Sequence, residues 1–386
     1  MREQFTAWCR TELFTPEVIR ATTILNRYCD LRLAGVYRAL KLDTILDAAK
    51  SGGEVAKALG FVESADVTMQ AMLSRCAKRS DFVVMSEPGS TPRFIHREVP
   101  ADPGPELTDL RAKMSELGPD YSAALEFLDF GAEHFVESLK DDPDFMDRML
   151  SGRDAQFQEL WHRATNVDPL QDLHGRMGAQ AIIDLFEGGR ILEIGGGTGN
   201  GIRHLFAAME AASVLDRVES YLFTDISQRF ILGTRKEIKK NHPSVSCDWK
   251  HLDINHPFEA QKIGPSSVDL IYGVNAAHVA KDIVGFLKQC HQTLRPGGRV
   301  LFAERIRIVP LQMAPRELTL NLSVYHRSAA ERTDYRPIHC YLGPENWKTV
   351  LDMAGFEPEI LPDLDAMKDH FPDQYAAVVV GTKKAT

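Results

Sequence analysis

A glycine-rich segment with an acidic residue just ahead of it is the sharpest chemical signal in the sequence. Glu193 lies in a short apolar run that ends at Ile194, and five glycines follow within residues 195–201. Of these, Gly195, Gly197 and Gly199 are the predicted ligand-binding glycines. Glycine lets the backbone approach a ligand closely at the carboxyl edge of a parallel sheet. We therefore predict a ligand-binding turn here, with a purely structural glycine turn as the alternative.

The spacing of these glycines limits the class of ligand. A dinucleotide fingerprint needs Gly-x-Gly-x-x-Gly, but its last position falls on Asn200 or Ile202, depending on which glycine is counted first. Glu193 would also repel a pyrophosphate, whereas its carboxylate suits an ammonium group. The pattern disfavours nicotinamide nucleotides and favours a ligand that bears both an ammonium and a carboxylate.

Polar residues also follow the next strands of the predicted sheet. Asp225 ends the second strand, where its two oxygens can accept both hydroxyls of a ribose, although it could instead cap the helix that follows. Asp253 ends the third strand, where it can accept a hydrogen bond from an adenine amino group. His278 follows the fourth strand. We add the neighbouring strand-end residues Ile226, Ile254 and Asn275 to the predicted cofactor-binding set.

The elements that position these residues alternate between strand and helix from about residue 171 onward. The predicted strands are 190–194, 221–224, 251–252, 268–274, 299–304, 358–361 and 375–382. Helical periodicity separates them, and this alternation predicts an α/β fold with a mostly parallel, Rossmann-like sheet covered on both faces. The carboxyl ends of its strands would then bring the polar residues to one edge.

The chain before this sheet is mainly helical in pattern. Several amphipathic helices, followed by a hairpin of Phe82–Met85 with Arg93–His96 and Pro88 at its tip, suggest a winged helix. Its third helix carries too few basic residues for several phosphate contacts, which argues against DNA binding. Residues 107–161 are helical again and are predicted to form a connecting or lid element. We therefore predict a helical domain of residues 1–165 and an α/β domain of residues 166–386.

The composition excludes several kinds of partner. The 45 basic and 54 acidic side chains among 386 residues give a formal net charge of −9, which leaves no global positive field for nucleic acid or anionic lipid. Six scattered cysteines without a Cys-x-x-Cys pair argue against a zinc cluster or a disulfide framework. Because no apolar run has the length of a signal peptide or a membrane span, we expect a cytoplasmic protein without a membrane partner.

Residues from about 188 to 382 resemble class I S-adenosylmethionine-dependent methyltransferases. Three segments are similar to the C-methyltransferase domains of polyketide synthases: Tyr221–Ser227, Asn275–Asp282 and Leu294–Glu304. The resemblance implies a seven-stranded sheet and S-adenosylmethionine as cofactor. Its methionine moiety would lie at Glu193 and the glycines, its ribose at Asp225 and its adenine at Asp253. The acceptor would be a small-molecule or carrier-bound acyl group.

The resemblance also implies a catalytic base, His278, supported by Glu304. These residues follow the fourth and fifth strands, so both side chains can reach the same edge of the sheet. A carboxylate that holds one imidazole nitrogen leaves the other nitrogen basic. Such a base can remove the acidic proton between the two carbonyls of a β-keto thioester, and the resulting carbon nucleophile can take up a methyl group. The alternative for His278 is a capping or merely hydrogen-bonded histidine.

Three other functions stay open at the level of sequence. The helical front end resembles the winged-helix dimerisation region of small-molecule O-methyltransferases, which implies a homodimer. Those enzymes also keep a histidine base after the fourth strand, so O-methylation of a hydroxyl by His278 is the main alternative. They typically continue with Asp-Trp, whereas Val279 and Ala280 follow here, which favours C-methylation. N-methylation and a non-catalytic cofactor-binding scaffold are the remaining alternatives.

The segment between the fifth and sixth strands is predicted to cover the acceptor. It is rich in basic and aromatic residues: Arg305, Arg307, Arg316, Tyr325, His326, Arg327, Arg332, Tyr335, Arg336 and His339. The arginines could meet a carboxylate or the phosphate of a phosphopantetheine arm, or they could simply form a solvated face. We predict no metal, because His326 and His339 lie in no ligand spacing typical of a metal site.

Overall fold

The computed structural model describes residues 2–86, 92–142, 144–152, 154–243, 245–309, 311–328 and 333–384. The chain forms two compact units. The sheet unit comprises Met1–Thr15, Gln171–Ile308 and Tyr341–Thr386, and the helical unit comprises Pro16–Leu170 and Val309–Cys340. The tip of the predicted hairpin, with Pro88, and Arg332 lie outside the described residues.

The described helices and strands are numbered in chain order. The helices are α1 (Arg2–Trp8), α2 (Pro16–Ala39), α3 (Leu42–Ile45), α4 (Gly52–Leu59), α5 (Ala65–Arg79), α6 (Gly104–Ser115), α7 (Ser122–Glu133), α8 (Phe145–Leu150), α9 (Ala155–His162), α10 (Pro169–Leu185), α11 (Asn200–Ala211), α12 (Gln228–Asn241), α13 (Ile283–Thr293), α14 (Glu317–Leu320), α15 (Val324–Ser328), α16 (Pro344–Met353) and α17 (Leu364–Met367). The strands are β1 (Val83–Met85), β2 (Phe94–His96), β3 (Gly189–Glu193), β4 (Val218–Asp225), β5 (Cys247–His251), β6 (Val268–Val274), β7 (Leu294–Arg305), β8 (Phe356–Leu361) and β9 (Ala376–Lys383).

Seven of the described strands form one sheet in the order β5-β4-β3-β6-β7-β9-β8. The first five run parallel, and β9 pairs antiparallel with both β7 and β8. The apolar residues of β3 and β9, and those of β6 apart from Val274, are buried, as expected for strands with helices on both faces. The predicted α/β fold with a mostly parallel sheet is confirmed.

The third strand of this sheet lies earlier than the sequence predicts. It spans Cys247–His251 rather than 251–252. This strand is at the edge of the sheet, and only its residues 247, 249 and 250 are partly buried, so it lacks the apolar run that marks the inner strands. Asp253 therefore follows the strand by two residues instead of ending it.

Both ends of helix α4, in the helical unit, carry the capping residues typical of their positions. Helix α4 begins with a capping box, in which the Ser51 hydroxyl accepts from Glu54 N–H and the Glu54 carboxylate accepts from Ser51 N–H. It ends at Gly60, whose φ of 71° is left-handed.

The predicted hairpin is present as β1 and β2, in which Val83 pairs with His96. None of the described helices meets the length and apolarity needed to span a membrane.

The two units differ from the predicted division of the chain. The segment Val309–Cys340 packs in the helical unit, where Arg316 forms a buried ion pair of 2.9 Å with Asp168 and Arg75 donates to the Met313 carbonyl. The first fifteen residues pack in the sheet unit, where Asp363 N–H donates to the Thr6 hydroxyl. Polar contacts between residues far apart in sequence accompany both differences, and no local sequence pattern predicts them.

Replacing Arg316 with methionine is expected to lower the free energy of unfolding by about 3–5 kcal/mol, because it removes one charge of a buried ion pair while the carboxylate of Asp168 stays buried. Urea unfolding of the variant measures this loss. Lys348→Met serves as the control, since it breaks an exposed pair with Glu345 and should change stability by about 0.5 kcal/mol or less. A loss below about 1 kcal/mol for Arg316→Met would contradict the structural role of this pair.

Candidate active site

The glycine segment forms a tight turn between β3 and α11. Gly195, Gly197 and Gly199 have φ values of 56°, 55° and 87°, a region that residues with a Cβ rarely adopt. A Cβ on Gly195 would also lie 2.6 Å from the Cβ of Ala276, beyond β6. The turn therefore needs glycine for its conformation, and at Gly195 also for space.

Asp225 fastens this turn to the end of β4. Its Oδ2 accepts from Gly197 N–H at 2.9 Å, and its Oδ1 accepts from Ser227 N–H at 2.6 Å. Burial raises the pKa of Asp225, while the same two N–H groups lower it. Each carboxylate oxygen can accept a second hydrogen bond, so the pair of ribose hydroxyls remains a chemically suitable ligand. Beside it, Ile226 is 44% exposed and offers an apolar surface.

Asp253 lies on the same edge, after β5. Leu252 N–H donates to the Asp225 carbonyl, which joins the two segments. Asp253 Oδ1 accepts from Asn255 N–H at 2.9 Å, and Oδ2 lies 2.9 Å from His256 Nδ1. Burial raises the pKa of Asp253, but these hydrogen bonds outweigh it and leave the pKa lowered. The side chain is therefore a charged acceptor, while Ile254 next to it is buried.

Glu193, which the sequence predicts to meet an ammonium group of the ligand, has no exposed side-chain surface. Its side chain is fully buried, and its Oε2 accepts from the Tyr221 hydroxyl at 2.8 Å. A Cβ on Gly201, in the first turn of α11, would meet Oε1 at 2.4 Å, so the carboxyl group lies against the start of that helix. Burial raises the pKa of Glu193 to about 8, against the opposing effect of Tyr221. The side chain therefore holds a proton near neutral pH.

This protonation predicts an unusual dependence of stability on pH. Between about pH 4.5 and 8 the folded chain keeps a proton on Glu193 that the unfolded chain has released, so this group lowers stability as the pH rises. Glu193→Gln removes the titration. We expect the stability of the variant relative to the natural chain to increase from pH 5 to pH 8, measured by urea unfolding at both values. Equal pH dependence of the two chains would contradict a raised pKa.

His278 and Glu304 meet at the ends of the neighbouring parallel strands β6 and β7. His278 lies in a short 3-10 turn, and its Nδ1 is 2.5 Å from Glu304 Oε2. Glu304 Oε1 accepts from the N–H groups of Ala276 and Ala277 at 3.1 and 2.8 Å. Both side chains are buried. With Nδ1–H donating to the carboxylate, the lone pair of the imidazole lies on Nε2, which is the arrangement of an oriented general base.

Asn275 links these two strand ends. It is the first residue after β6 and has a left-handed φ of 49°. Its Oδ1 accepts from Arg305 N–H at 2.8 Å, next to Glu304. The sequence predicts Asn275 as a cofactor residue, but its Oδ1 is bonded to the end of β7, whereas the glycine turn follows β3, the other neighbour of β6.

The sequence does not single out Tyr341, whose ring centre lies 4.5 Å from that of His278. The tyrosine is buried, and its carbonyl accepts from Arg307 Nε at 3.1 Å. Arg305 lies over the ring of Tyr375, 4.3 Å from its centre. Tyr341 follows the long inserted segment without any motif, so nothing in the sequence connects it to the histidine.

The described arginines of the inserted segment do not form a solvated face. All five are buried: Arg305, Arg307, Arg316, Arg327 and Arg336. Tyr325 and Tyr335 are half-buried.

The two histidines of the inserted segment share one hydrogen-bond partner in the helical unit: His339 Nε2 and His326 Nδ1 lie 2.6 and 2.9 Å from Asn321 Oδ1. Within the described ranges, no group of three or more His, Cys, Asp and Glu side chains has an arrangement that could hold a metal ion.

Comparison with known proteins identifies the class of this site. Residues 192–300 match the family described as a methyltransferase domain. The fold is similar to that of a solved CurJ carbon methyltransferase, with a TM-score of 0.76, 19% identity and coverage of 99% of this chain and 98% of that chain. The DszA carbon methyltransferase gives a TM-score of 0.71 at 18% identity, covering 96% of this chain and 94% of that one.

Among sequence relatives, a highly reducing polyketide synthase from Pyrenophora dematioidea is 31% identical over 167 residues, which cover 43% of this chain and 6% of the synthase. The chain thus spans less than a tenth of the length of that relative. The match of residues 192–300 to a methyltransferase domain and the fold agree with the predicted class, a methyltransferase that depends on S-adenosylmethionine. The solved structures of similar fold are carbon methyltransferases, and the sequence relative is a polyketide synthase.

Proposed function

We propose that this chain methylates the α-carbon of a β-keto acyl thioester, with His278 as the base and Glu304 as its orienting partner. The observation that carries the proposal is the 2.5 Å contact between His278 Nδ1 and Glu304 Oε2 on the sheet edge that also bears the glycine turn. A buried imidazole held by a carboxylate is suited to remove a proton from carbon. The names of the matched relatives, polyketide synthases, agree with a β-keto acyl acceptor.

The same edge of the sheet carries the residues that are suited to bind the cofactor. When bound, S-adenosylmethionine supplies an electrophilic methyl group for transfer to a nucleophile. The glycine turn, Asp225 and Asp253 supply backbone N–H groups and carboxylate oxygens in the order methionine, ribose and adenine along β3, β4 and β5. The exposed face of Ile226 can pack against the adenine ring, and Ile254 is buried next to Asp253. Glu193 lies against the first turn of α11, where a nearby ammonium group would favour release of its proton.

The proposed proton transfer uses the two buried residues in different ways. His278 Nε2 takes the α-proton, and the positive charge that forms on the imidazole is balanced by Glu304. The N–H groups of Ala276 and Ala277 hold the other carboxylate oxygen, so Glu304 cannot turn away from the histidine without losing two hydrogen bonds. The burial of both residues limits competing water at the site.

The proposal is tested by comparing acceptors that offer either a carbon or an oxygen nucleophile to the methyl group. The purified chain is incubated with S-adenosylmethionine and a β-ketoacyl pantetheine thioester, and products are identified by mass spectrometry. We expect one methyl group on the α-carbon. The matched control is the α,α-dimethyl thioester, which has no α-proton and should remain unmodified.

A panel of phenols in the same experiment tests the main alternative. Methylation of phenolic oxygen, with the thioester left unmodified, would contradict carbon methylation and would make His278 a base for hydroxyl groups. Comparison of the free pantetheine thioester with a carrier-bound one tests the proposed carrier-bound acceptor. The latter should be methylated with the higher kcat/KM.

The oligomeric state and location of the protein remain predictions from sequence. We propose a homodimer formed through the N-terminal helices of the helical unit, in a cytoplasmic protein without a nucleic-acid partner. Sedimentation velocity at micromolar concentration tests the dimer, and a monomer under these conditions would contradict it.

A further inference from the structure

The side chain of Asn275 has one satisfied and one unsatisfied end. Its Oδ1 accepts from Arg305 N–H, and because the backbone group can only donate, the partner atom must be the oxygen. The other end, Nδ2, is buried and has no hydrogen-bond partner among the described residues. A buried donor without a partner is unfavourable. Such a group is a candidate for a contact that forms when a ligand binds.

The backbone of Asn275 is also exceptional. A left-handed φ of 49° is uncommon for a residue with a side chain, and asparagine is one of the few that tolerate it. The next two N–H groups, of Ala276 and Ala277, are those that hold Glu304. Asn275 is therefore fixed on both sides, by its backbone turn and by its bond to Arg305, so that Nδ2 has a defined position.

The order of the strands indicates which ligand Nδ2 faces. The residues suited to the cofactor follow β3, β4 and β5, whereas the Asn275 amide bridges the ends of β6 and β7. The same two strand ends carry His278 and Glu304. Asn275 thus lies at the same two strand ends as the base, on the part of the edge where the acceptor must be deprotonated.

We propose that Asn275 Nδ2 donates a hydrogen bond to the acceptor oxygen that becomes the enolate oxygen. This inference rests on the proposed C-methylation. His278 Nε2 takes the α-proton, and the electron pair of the broken C–H bond moves into the enolate, whose oxygen receives the bond from Asn275. The enolate carbon then forms a C–C bond to the methyl group while the methyl–sulfur bond breaks and its electron pair stays on sulfur. The proton on His278 passes to solvent.

The inference gives Asn275 a catalytic contribution separate from cofactor binding. Removal of a donor to an oxyanion typically lowers the rate about 10²- to 10³-fold. The donor acts already in proton abstraction, so its effect should be visible without any cofactor. Exchange of the α-proton for deuterium, followed by mass spectrometry of a β-ketoacyl pantetheine thioester in D₂O, measures that step alone.

Two variants separate the donor from other effects. Asn275→Asp keeps an oxygen for Arg305 and tolerance of the left-handed φ but replaces the donor with an acceptor. Asn275→Gly keeps the backbone conformation and introduces no charge. We expect both to lower the exchange rate and kcat by about 10²- to 10³-fold, with the dissociation constant for S-adenosylmethionine changed less than about threefold. Asn241→Asp, an exposed position at the end of α12, is the matched control and should change neither rate.

Three outcomes would overturn the inference. A dissociation constant for the cofactor raised more than about tenfold, with exchange unchanged, would make Asn275 a cofactor residue. Normal exchange in Asn275→Gly with loss only in Asn275→Asp would assign the effect to the new charge. Absence of exchange in the natural chain, together with failure to methylate the thioester, would instead contradict the proposed function itself. Thermal unfolding of each variant identifies any loss due to misfolding.

Discussion

Replacing His278 with alanine is expected to lower kcat for methylation of a β-ketoacyl thioester by about 10²- to 10⁴-fold, the usual contribution of a positioned general base. Glu304 orients the imidazole through the 2.5 Å contact between its Oε2 and His278 Nδ1. No other described side chain makes a hydrogen bond to Glu304. Binding of S-adenosylmethionine should change little, because the residues suited to the cofactor follow β3, β4 and β5.

Steady-state kinetics and isothermal titration calorimetry measure these two quantities for His278→Ala. Glu304→Gln provides a graded comparison, since an amide can still accept from Nδ1–H but balances no charge on the imidazole. We expect an intermediate loss of kcat for it. His242→Ala changes a histidine that is paired with Glu210 away from this edge, and it should keep normal kinetics. Full activity of His278→Ala would exclude the proposed base.

Replacing Asp225 with alanine is expected to raise the dissociation constant for S-adenosylmethionine about 100-fold or more. The carboxylate holds Gly197 N–H and Ser227 N–H, and it is also the proposed acceptor for the ribose hydroxyls. Hydrogen bonds to a charged group contribute about 1.5–3 kcal/mol each, and about 1.4 kcal/mol corresponds to a tenfold change in affinity. Loss of the side chain removes both the ligand contact and the anchor of the turn.

Isothermal titration calorimetry of Asp225→Ala tests this expectation. Asp216→Ala is the control, because Asp216 is exposed in a turn before β4 and is not expected to contact the cofactor. Asp225→Asn should give a smaller loss, since its amide keeps one acceptor oxygen. A dissociation constant within about threefold of that of the natural chain would contradict the role of Asp225.

The glycine turn and the His278–Glu304 contact are predictable from sequence because both follow from one rule. In a parallel sheet the carboxyl ends of adjacent strands lie on the same edge, so residues just after two buried apolar runs must come together. His278 and Glu304 are 26 positions apart, yet each is placed by its own strand. The rule places a residue at the edge, but it does not determine the direction of its side chain.

The remaining features of the site depend on packing that sequence patterns do not record. The sequence predicts Glu193 at the ligand-binding edge as a negatively charged carboxylate. Its carboxyl group is instead buried against α11, and this burial raises its pKa to about 8. Tyr341 reaches His278 only because the inserted segment returns to the sheet unit at that residue. The insertion itself packs in the helical unit through contacts such as Arg316 with Asp168, which lie 148 positions apart.

The most direct test of carbon methylation is a carbon-13 experiment on the product. S-adenosylmethionine labelled in its methyl group is supplied with a β-ketoacyl pantetheine thioester labelled at the α-carbon. The natural chain should yield a product whose methyl and α-carbon signals show one-bond carbon–carbon coupling, and His278→Ala should yield none in the same time. A labelled methyl signal without that coupling, at the chemical shift of a methyl on oxygen, would contradict the account.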